Sequence, residues 1–330
     1  MKELLRYYND ELVFFSQMAR LYAQKYPKTA ARLLKGGDTS EDPHIDRMIQ
    51  SFALLTARVA QRLDSDYSRF TESMLESVYP HYLRPIPSYS IVQFGSPDKP
   101  AQCDTVRTFA RATMLQSEAV QGVPCRFRTV YDVTLAPVIV TKAAFSAFTQ
   151  GSRSVALPTG ATGTIAICIE STSNAFQFND CQLTSLRVLV DGERSLCAAL
   201  MDALFIRTVA AFVQMVNDAT WMPLNRVPLR LAGLGEADAL IPFTARSHPA
   251  FRLLTEYFAY PDKFSFVDID LTEFADRLPA NCRRFTLHLA LTGTVNHSAA
   301  AHLLASLSAQ NFLSGCTPVI NLFKRSGVPL

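Results

Sequence analysis

Two histidines, His44 and His81, bracket a long apolar-patterned segment, and a pair of imidazoles is the beginning of a metal site or an acid–base couple. The spacing works against both. If one straight helix joins them they stand about 50 Å apart, and a shared metal would need the helix to fold back near Asp64. Seven cysteines (Cys103, Cys125, Cys168, Cys181, Cys197, Cys282, Cys316) are an odd number at irregular spacing, without a Cys-x-x-Cys pair. That pattern supports neither zinc nor thioredoxin-type redox chemistry. A Cys–His nucleophilic couple has no pair that the sequence singles out. No Gly-x-x-x-x-Gly-Lys loop, Gly-x-Gly-x-x-Gly turn or His-Glu-x-x-His helix is present. Ser154 and Ser173 lack the strand–turn–helix context of a nucleophile elbow. The residues thus predict no catalytic centre, no cofactor and no metal. His81 reads instead as a hydrogen-bonding anchor in the segment that surrounds it.

That segment is YPHYLRPIPS, Tyr79–Ser88. Pro80, Pro85 and Pro87 each remove a backbone donor and push the preceding residue toward extended geometry. Between them stand Tyr79, His81, Tyr82 and Arg84, costly residues for a plain linker. They predict a rigid joint between two modules. Ahead of the joint, Asp42 suits an N-cap and Pro43 the first helical position. Ile45, Met48, Phe52, Leu55, Val59, Leu63, Tyr67, Phe70, Met74 and Val78 then recur in steps of three or four, which predicts one apolar helical face. Asp64-Ser65-Asp66 leaves open whether this is one helix or two stacked ones. Leu4, Leu5, Tyr8, Leu12, Phe15, Ala19 and Tyr22 form a second stripe, and a short helix over about Lys28–Lys35 lies between Pro27 and the Gly36-Gly37 pair. Phe52, Leu55 and Val59 on the long face, with Tyr79, His81, Tyr82 and Arg84 at the joint, are the candidate partner-binding residues.

Past Ser88 the pattern switches to period two. Ile91–Phe94, Arg126–Tyr131, Val133–Thr141 and Thr164–Ile169 read as strands, with turns at Gly122, Gly151, Pro158, Gly160 and Gly163. An antiparallel β-sandwich or barrel-like module is expected over 88–195. Arg107, Arg111, Arg126 and Arg128 form either a basic stripe for an anionic partner or an ordinary solvated face. Leu196–Val216 is apolar on all sides and reads as a buried connecting helix, followed by a linker to 245. As a membrane span it would carry Asp202 and Arg207 near its centre, at roughly 2.5–3.5 kcal/mol each, although the two could pair. Residues 246–330 read as mixed α/β, with a helix over Pro249–Tyr260 capped by Ser247, strands at Phe264–Leu271, Arg284–Leu291 and Pro318–Phe323, and a helix at His297–Leu307. The fold class is therefore α+β: a helical region over 1–87, a β-rich domain over 88–195, a connection over 196–245 and an incomplete mixed domain over 246–330.

Composition narrows the class. Hydrophobic residues make up 48% and charged residues 18% of the 330 residues, against the usual quarter charged, so apolar surface is left for a large core or a partner. A net charge of +3, without basic–aromatic interleaving, argues against nucleic acid. MKELLRYYNDEL carries charge too early for a signal peptide, and unpaired thiols fit the cytoplasm.

Several segments together, YYNDEL at 7–12, KYPKTAARL at 25–33, DPHIDRMIQSFALLTARV at 42–59, YPHYLRPIPSYSIVQF at 79–94, LLTEYFAYPDKFSFVDI at 253–269 and CTPVINLF at 316–323, resemble TssF. This family, also called ImpG or VasA, supplies a baseplate subunit of type VI secretion systems. Its members are considerably longer, so the chain resembles the N-terminal portion of one. The resemblance implies a structural, non-enzymatic subunit that joins TssG in a ratio of two to one, with a second TssF copy, TssE and TssK as neighbours in a wedge around the spike hub (VgrG). It implies a cytoplasmic platform for tail tube and sheath, docked at the inner-membrane complex, with no nucleic acid and no direct membrane insertion. The rival reading is a membrane-docked assembly protein using the apolar segment 196–216.

Overall fold

A computed structural model describes residues 2–33, 43–95, 105–147, 155, 157–178, 183–215, 220–243, 247–274, 277–279 and 281–324. The expected cap Asp42, the Gly36-Gly37 break, Gly151, Ser154, Cys103 and Cys181 lie outside the described residues. The chain divides into two units, Met1–Arg84 and Pro85–Leu330.

The first unit is helical: α1 (Lys2–Lys25), α2 (Pro27–Leu33) and α3 (Pro43–Val78). Proline opens both α2 and α3, where its missing N–H has no intrahelical partner to lose. α3 passes unbroken through Asp64-Ser65-Asp66, so its 36 residues extend about 54 Å. His44 and His81 therefore lie at opposite ends of one helix. α1 and α3 pack together, and Tyr7 donates its hydroxyl hydrogen to Asp64 Oδ2 at 2.7 Å. α1 turns most of its predicted stripe inward, with Leu4, Tyr8, Leu12, Phe15 and Ala19 half-buried, while Leu5 and Tyr22 of the same stripe are exposed. α3 does not. Its fully buried residues are Ala53 and Ala57, one turn apart, on a face small enough for another backbone to approach.

The second unit is built from antiparallel ladders. In chain order come β1 (Tyr89–Gln93), β2 (Arg107–Phe109), β3 (Met114–Val120), β4 (Val123–Thr129), β5 (Val133–Leu135), β6 (Val138–Ser146), β7 (Ala161–Ser171) and β8 (Ser185–Val190). There follow α4 (Arg194–Asp202), β9 (Thr208–Met215), β10 (Trp221–Pro223), β11 (Leu229–Leu231), α5 (Pro249–Ala259), β12 (Phe266–Asp270), β13 (Arg284–Thr292), α6 (Ala299–Leu304), β14 (Phe312–Ser314) and β15 (Cys316–Ile320). The sheets run β1-β15-β4-β3, β10-β9-β13-β7-β6, β11-β12-β8-β14 and β2-β5. β1 pairs with β15, β7 with β13 and β8 with β12. The stretches 88–195 and 246–330, expected as separate modules, thus contribute strands to the same sheets.

Strand alternation sets the layers. Leu186, Val188 and Val190 of β8, with Val267 and Ile269 of β12, face a core shared with Ile165, Ile167 and Ile169 of β7 and Phe285, Leu287 and Leu289 of β13. Leu189 and Phe266, on the opposite face of the β8–β12 pair, join a second core with Tyr131, Tyr260 and Ile320. That sheet is consequently packed on both sides, although its second face also carries Arg187, whose Nε donates to Asp268 Oδ1 at 2.6 Å. Val133–Thr141, expected as one strand, is two, because Pro137 between β5 and β6 has no N–H to donate to a ladder.

The single buried helix expected over 196–216 is not found. Helix α4 ends at Asp202, a π turn covers Ala203–Arg207, and β9 begins at Thr208. Periodicity alone does not separate a short apolar run in a central strand from a buried helix, and β9 sits between β10 and β13, where both faces are covered. Arg207 Nε donates to Asp202 Oδ2 at 2.6 Å across the turn, the pairing the sequence allowed. Among the described residues no helix is long and apolar enough to cross a membrane, which removes the segment on which the membrane-docked alternative relied.

Helix α5 inverts the usual rule for a surface helix. Its buried residues are Arg252 and Glu256, while Leu254, Tyr257 and Phe258 are exposed. Glu256 is 1% exposed and the neighbouring Lys263 0%. Glu256 Oε2 accepts from Lys263 Nζ and, at 3.4 Å, from Arg252 Nη1; Oε1 accepts from the Leu240 N–H at 2.8 Å. Arg252 Nη2 donates to the Leu234 carbonyl at 2.9 Å, and Tyr131 donates its hydroxyl hydrogen to the Lys263 carbonyl at 3.0 Å. Burial lowers the Lys263 pKa despite the pull of Glu256. The N-cap is His248, whose Nδ1 accepts from Ala250 N–H at 3.2 Å, in place of the expected Ser247.

Candidate protein–protein interface

The stripe read from the sequence is present on α3, and it faces outward. Met48, Phe52, Leu55, Val59, Leu63, Tyr67, Phe70, Met74 and Val78 are between 52% and 74% exposed. At Phe52, Leu55 and Val59 the cause is the packing just described: the face of Ala53 and Ala57 is the buried one there, so these large side chains lie off it. Of the candidate residues, Phe52, Leu55 and Val59 lie on this outward face within two turns of one another. No charged residue interrupts the stripe positions.

Two grooves lie where α1 meets α3, and the first of them takes in Leu55 and Val59 of the stripe. One, of about 1010 Å³, is lined by Arg6, Tyr7, Leu55, Val59, Arg58 and Asp64 among others. The other, of about 540 Å³, is bounded by Leu4, Leu5, Tyr8, Arg47 and Leu54. Leu55 and Val59 thus line a trough rather than standing on a convex ridge. Magnitudes show what such a surface can do. Full burial of a large apolar side chain yields roughly 1.5–3 kcal/mol, so half-burial of nine yields on the order of 7–13 kcal/mol gross. Association costs an estimated 4–15 kcal/mol in lost freedom. By this reckoning the stripe alone lies near break-even.

At the end of α3 the chain enters a 3₁₀ turn over Pro80–Leu83. Tyr79 N–H donates to the Leu75 carbonyl at 2.6 Å, and Tyr82 N–H to the Tyr79 carbonyl at 3.1 Å. Tyr79 and His81 are 7% and 8% exposed, with ring centroids 6.3 Å apart. Burial, then the charge of Arg84, lowers the His81 pKa, which keeps the imidazole neutral at physiological pH. Tyr82 and Arg84 are exposed. The structure therefore separates the four joint candidates into an inward pair and an outward pair.

The arginine stripe is divided as well. Arg126 and Arg128 lie two apart on β4, opposite Gln116 and Met114 of β3. Burial, then the charge of Arg111, lowers the Arg128 pKa, so these two guanidinium groups are neighbours. Arg111 itself donates from its backbone N–H to Asp132 Oδ1 at 2.6 Å and from its side chain to the Ala237 carbonyl. Arg107 belongs to the separate β2–β5 pair. Among the described residues no cluster of three or more His, Cys, Asp or Glu side chains is placed to hold a metal. The sequence reading did not include the grooves or Tyr7–Asp64; the small residues Ala53 and Ala57, one turn apart, were the available signal.

The family described as "Type VI secretion system, TssF" matches residues 1–330. The type VI secretion system component TssF1 of Pseudomonas aeruginosa is 32% identical over 327 residues, covering 98% of this chain and 52% of the relative. A chain of a TssK–TssF–TssG baseplate subcomplex, determined by cryo-electron microscopy, superposes with a TM-score of 0.63 at 24% identity, over 84% of this chain and 49% of that one. The α+β architecture with antiparallel sheets is shared with that structure. The chain spans about half the length of these relatives.

Proposed function

The chain belongs to the TssF family of type VI secretion proteins, and from that membership we infer that it is a structural, non-catalytic subunit of the secretion baseplate. In this reading it associates with TssG, two copies per TssG, with TssK and TssE as further neighbours. The resulting wedge surrounds the spike hub (VgrG) and carries tail tube and sheath in the cytoplasm, against the inner-membrane complex. Its work is mechanical: packed helices hold the position of one component relative to another. The observation that carries the reading is the nine-residue apolar stripe of α3, exposed along its length, with Leu55 and Val59 lining a groove beside α1. A helix of TssG or of the second copy, laid along this trough with its own apolar residues at i, i+3, i+4 and i+7, is the matching occupant. Tyr79, His81, Tyr82 and Arg84 act as the rigid end of this element.

The test is co-expression of the chain with TssG from the same system, affinity capture and native mass measurement, with the parent chain and the Phe52→Asp/Val59→Asp variant in parallel. A complex of two chains per TssG that the variant abolishes, while the variant itself stays folded, is the expected result. Unfolding of the variant alone would make the stripe an internal packing face, and undiminished capture would move the TssG surface away from α3.

A further inference from the structure

A pocket of about 540 Å³ in the second unit is lined by three arginines and three aspartates, Arg111, Arg187, Arg230, Asp132, Asp238 and Asp268. The ladder register builds half of it. Arg230 of β11 stands opposite Asp268 of β12, and Asp268 opposite Arg187 of β8. Residues directly opposite share one face of a sheet, so an Arg–Asp–Arg row crosses the three strands. Asp268 accepts from Arg187 through both oxygens, at 2.6 and 2.8 Å. Asp238 accepts from Arg187 Nη1 at 3.5 Å and from the Gly233 N–H at 3.1 Å. Asp132 Oδ1 accepts from the Arg111 N–H at 2.6 Å. Arg187 is held further by Tyr131, with its guanidinium carbon 4.6 Å from the ring centroid. The carboxylates of the pocket are therefore mostly taken by the protein itself.

Arg111 and Arg230 are not. A guanidinium carries five N–H donors. That of Arg111 bonds the Ala237 carbonyl. That of Arg230 makes one bond of 3.3 Å, to an Asp270 oxygen that also accepts from Arg226. Among the described residues neither guanidinium has a further acceptor, so the pocket holds donors in excess. A cation would find its carboxylates engaged, whereas a ligand rich in acceptors would find both arginines available. Formal charge then chooses among anions. The three arginines and three aspartates cancel, which leaves a phosphate group, near −2, poorly compensated. A single carboxylate needs less charge and suits the planar guanidinium fork. The volume lies in the range of small-ligand sites, more than one carboxylate fills, and Val133 and Leu231 add apolar lining. We propose that this pocket binds a monocarboxylate on a short apolar body, its oxygens bonded by Arg111 and Arg230 and its apolar part set against Val133 and Leu231. The C-terminal residue of a polypeptide and a free branched-chain carboxylic acid present this chemistry alike.

A labelled hexapeptide ending in valine and leucine with a free carboxylate tests this against the intact chain by fluorescence anisotropy, with the C-terminal amide as control. The free acid is expected to bind at least tenfold more tightly than the amide. Arg230→Gln and Arg111→Gln are each expected to weaken it at least tenfold. Arg194→Gln, which removes an exposed arginine of α4 outside the pocket, should leave it unaltered. If Arg111→Gln lowers the thermal midpoint, Arg230→Gln decides, because that side chain is 72% exposed. Displacement of the peptide by isocaproate would assign the site to a free acid, and a peptide that isocaproate does not displace would assign it to a polypeptide terminus. Equal binding of acid and amide, or no binding of either, would overturn the proposal. So would insensitivity to Arg230→Gln, an equal loss in Arg194→Gln, or displacement by inorganic phosphate as readily as by the unlabelled peptide. The TssG reading, which depends on α3, is untouched by any of these results.

Discussion

Substituting Glu256 by Gln tests whether the second unit depends on a neutralised buried charge. The change keeps the size of the side chain, an acceptor for the Leu240 N–H and a comparable helix propensity. It removes the carboxylate that bonds Lys263 and Arg252, which are 0% and 6% exposed in their side chains, and leaves only the weaker pull of Asp238 on Lys263. Breaking a buried pair from one side costs about 3–5 kcal/mol, because the surviving charge is stranded. For a unit of this size that corresponds to a fall of about 6–20 °C in thermal midpoint. Lys263→Met should cost less, since Glu256 retains Arg252 and the Leu240 N–H. The double variant should lose less than the sum of the two, by at least ~1 kcal/mol, the signature of direct coupling. Trp221, the chain's one tryptophan, lies in the second unit, so urea unfolding followed by its fluorescence reads this unit alone. Costs that add within ~0.3 kcal/mol, or a Glu256→Gln midpoint equal to the parent's, would refute the argument.

Two further perturbations have outcomes set by the same structure. His288 stacks on Trp221 at 3.9 Å and pairs through Nε2 with Gln214 Oε1 at 2.7 Å; burial pushes its pKa down to about 4 from 6.5. Between these values the unfolded chain binds the proton and the folded chain does not, so stability should fall as pH drops from 6.5 toward 4, by at most about 3 kcal/mol. His288→Phe should flatten that part of the urea midpoint–pH profile measured by circular dichroism, and an unchanged slope would contradict the assignment. On α3, Ala57→Leu should destabilise the isolated chain by about 1–3 kcal/mol through overpacking, whereas Leu63→Ala on the outward face should stay within about 0.5 kcal/mol. Thermal melts in the opposite order would mean that the wrong face of α3 has been taken as buried.

Local signals were well expressed in the sequence. Pro43 and the three- and four-residue steps gave α3, and Pro80, Pro85 and Pro87 gave its end. Which face of α3 packs was hidden, because a count of apolar residues favours Phe52 and Leu55 over Ala53 and Ala57, while close helix approach favours the small ones. β-strands were recognised singly, but their partners lie far along the chain: Tyr89 faces Ile320 and Glu170 faces Arg284. No local pattern encodes such pairings, and for that reason 88–195 and 246–330 read as separate modules. Leu196–Val216 failed for another reason, since an apolar run covered on both faces loses the alternation that distinguishes strand from helix. The inversion of α5 was legible in principle, as Arg252 and Glu256 are four apart and share one helical face, opposite Leu254, Tyr257 and Phe258.

The stripe of α3 also has a handedness. From Met48 to Val78 it advances thirty residues in eight steps, a mean of 3.75, longer than the 3.6 residues of one α-helical turn. Each step therefore overshoots a full turn by about 15°, and the line of side chains drifts around the helix by roughly 120° from end to end. A seam with a seven-residue repeat drifts in the opposite sense and produces left-handed coiled coils; a period beyond 3.6 favours right-handed crossing. A single helix following the whole stripe must wind around α3 with a right-handed twist. Two straight helices can instead divide it, one on the Phe52 end and one on the Phe70 end, each meeting α3 from a different side. In that arrangement one continuous rod sets the angle between two neighbours, and the angle is fixed by the spacing of nine side chains.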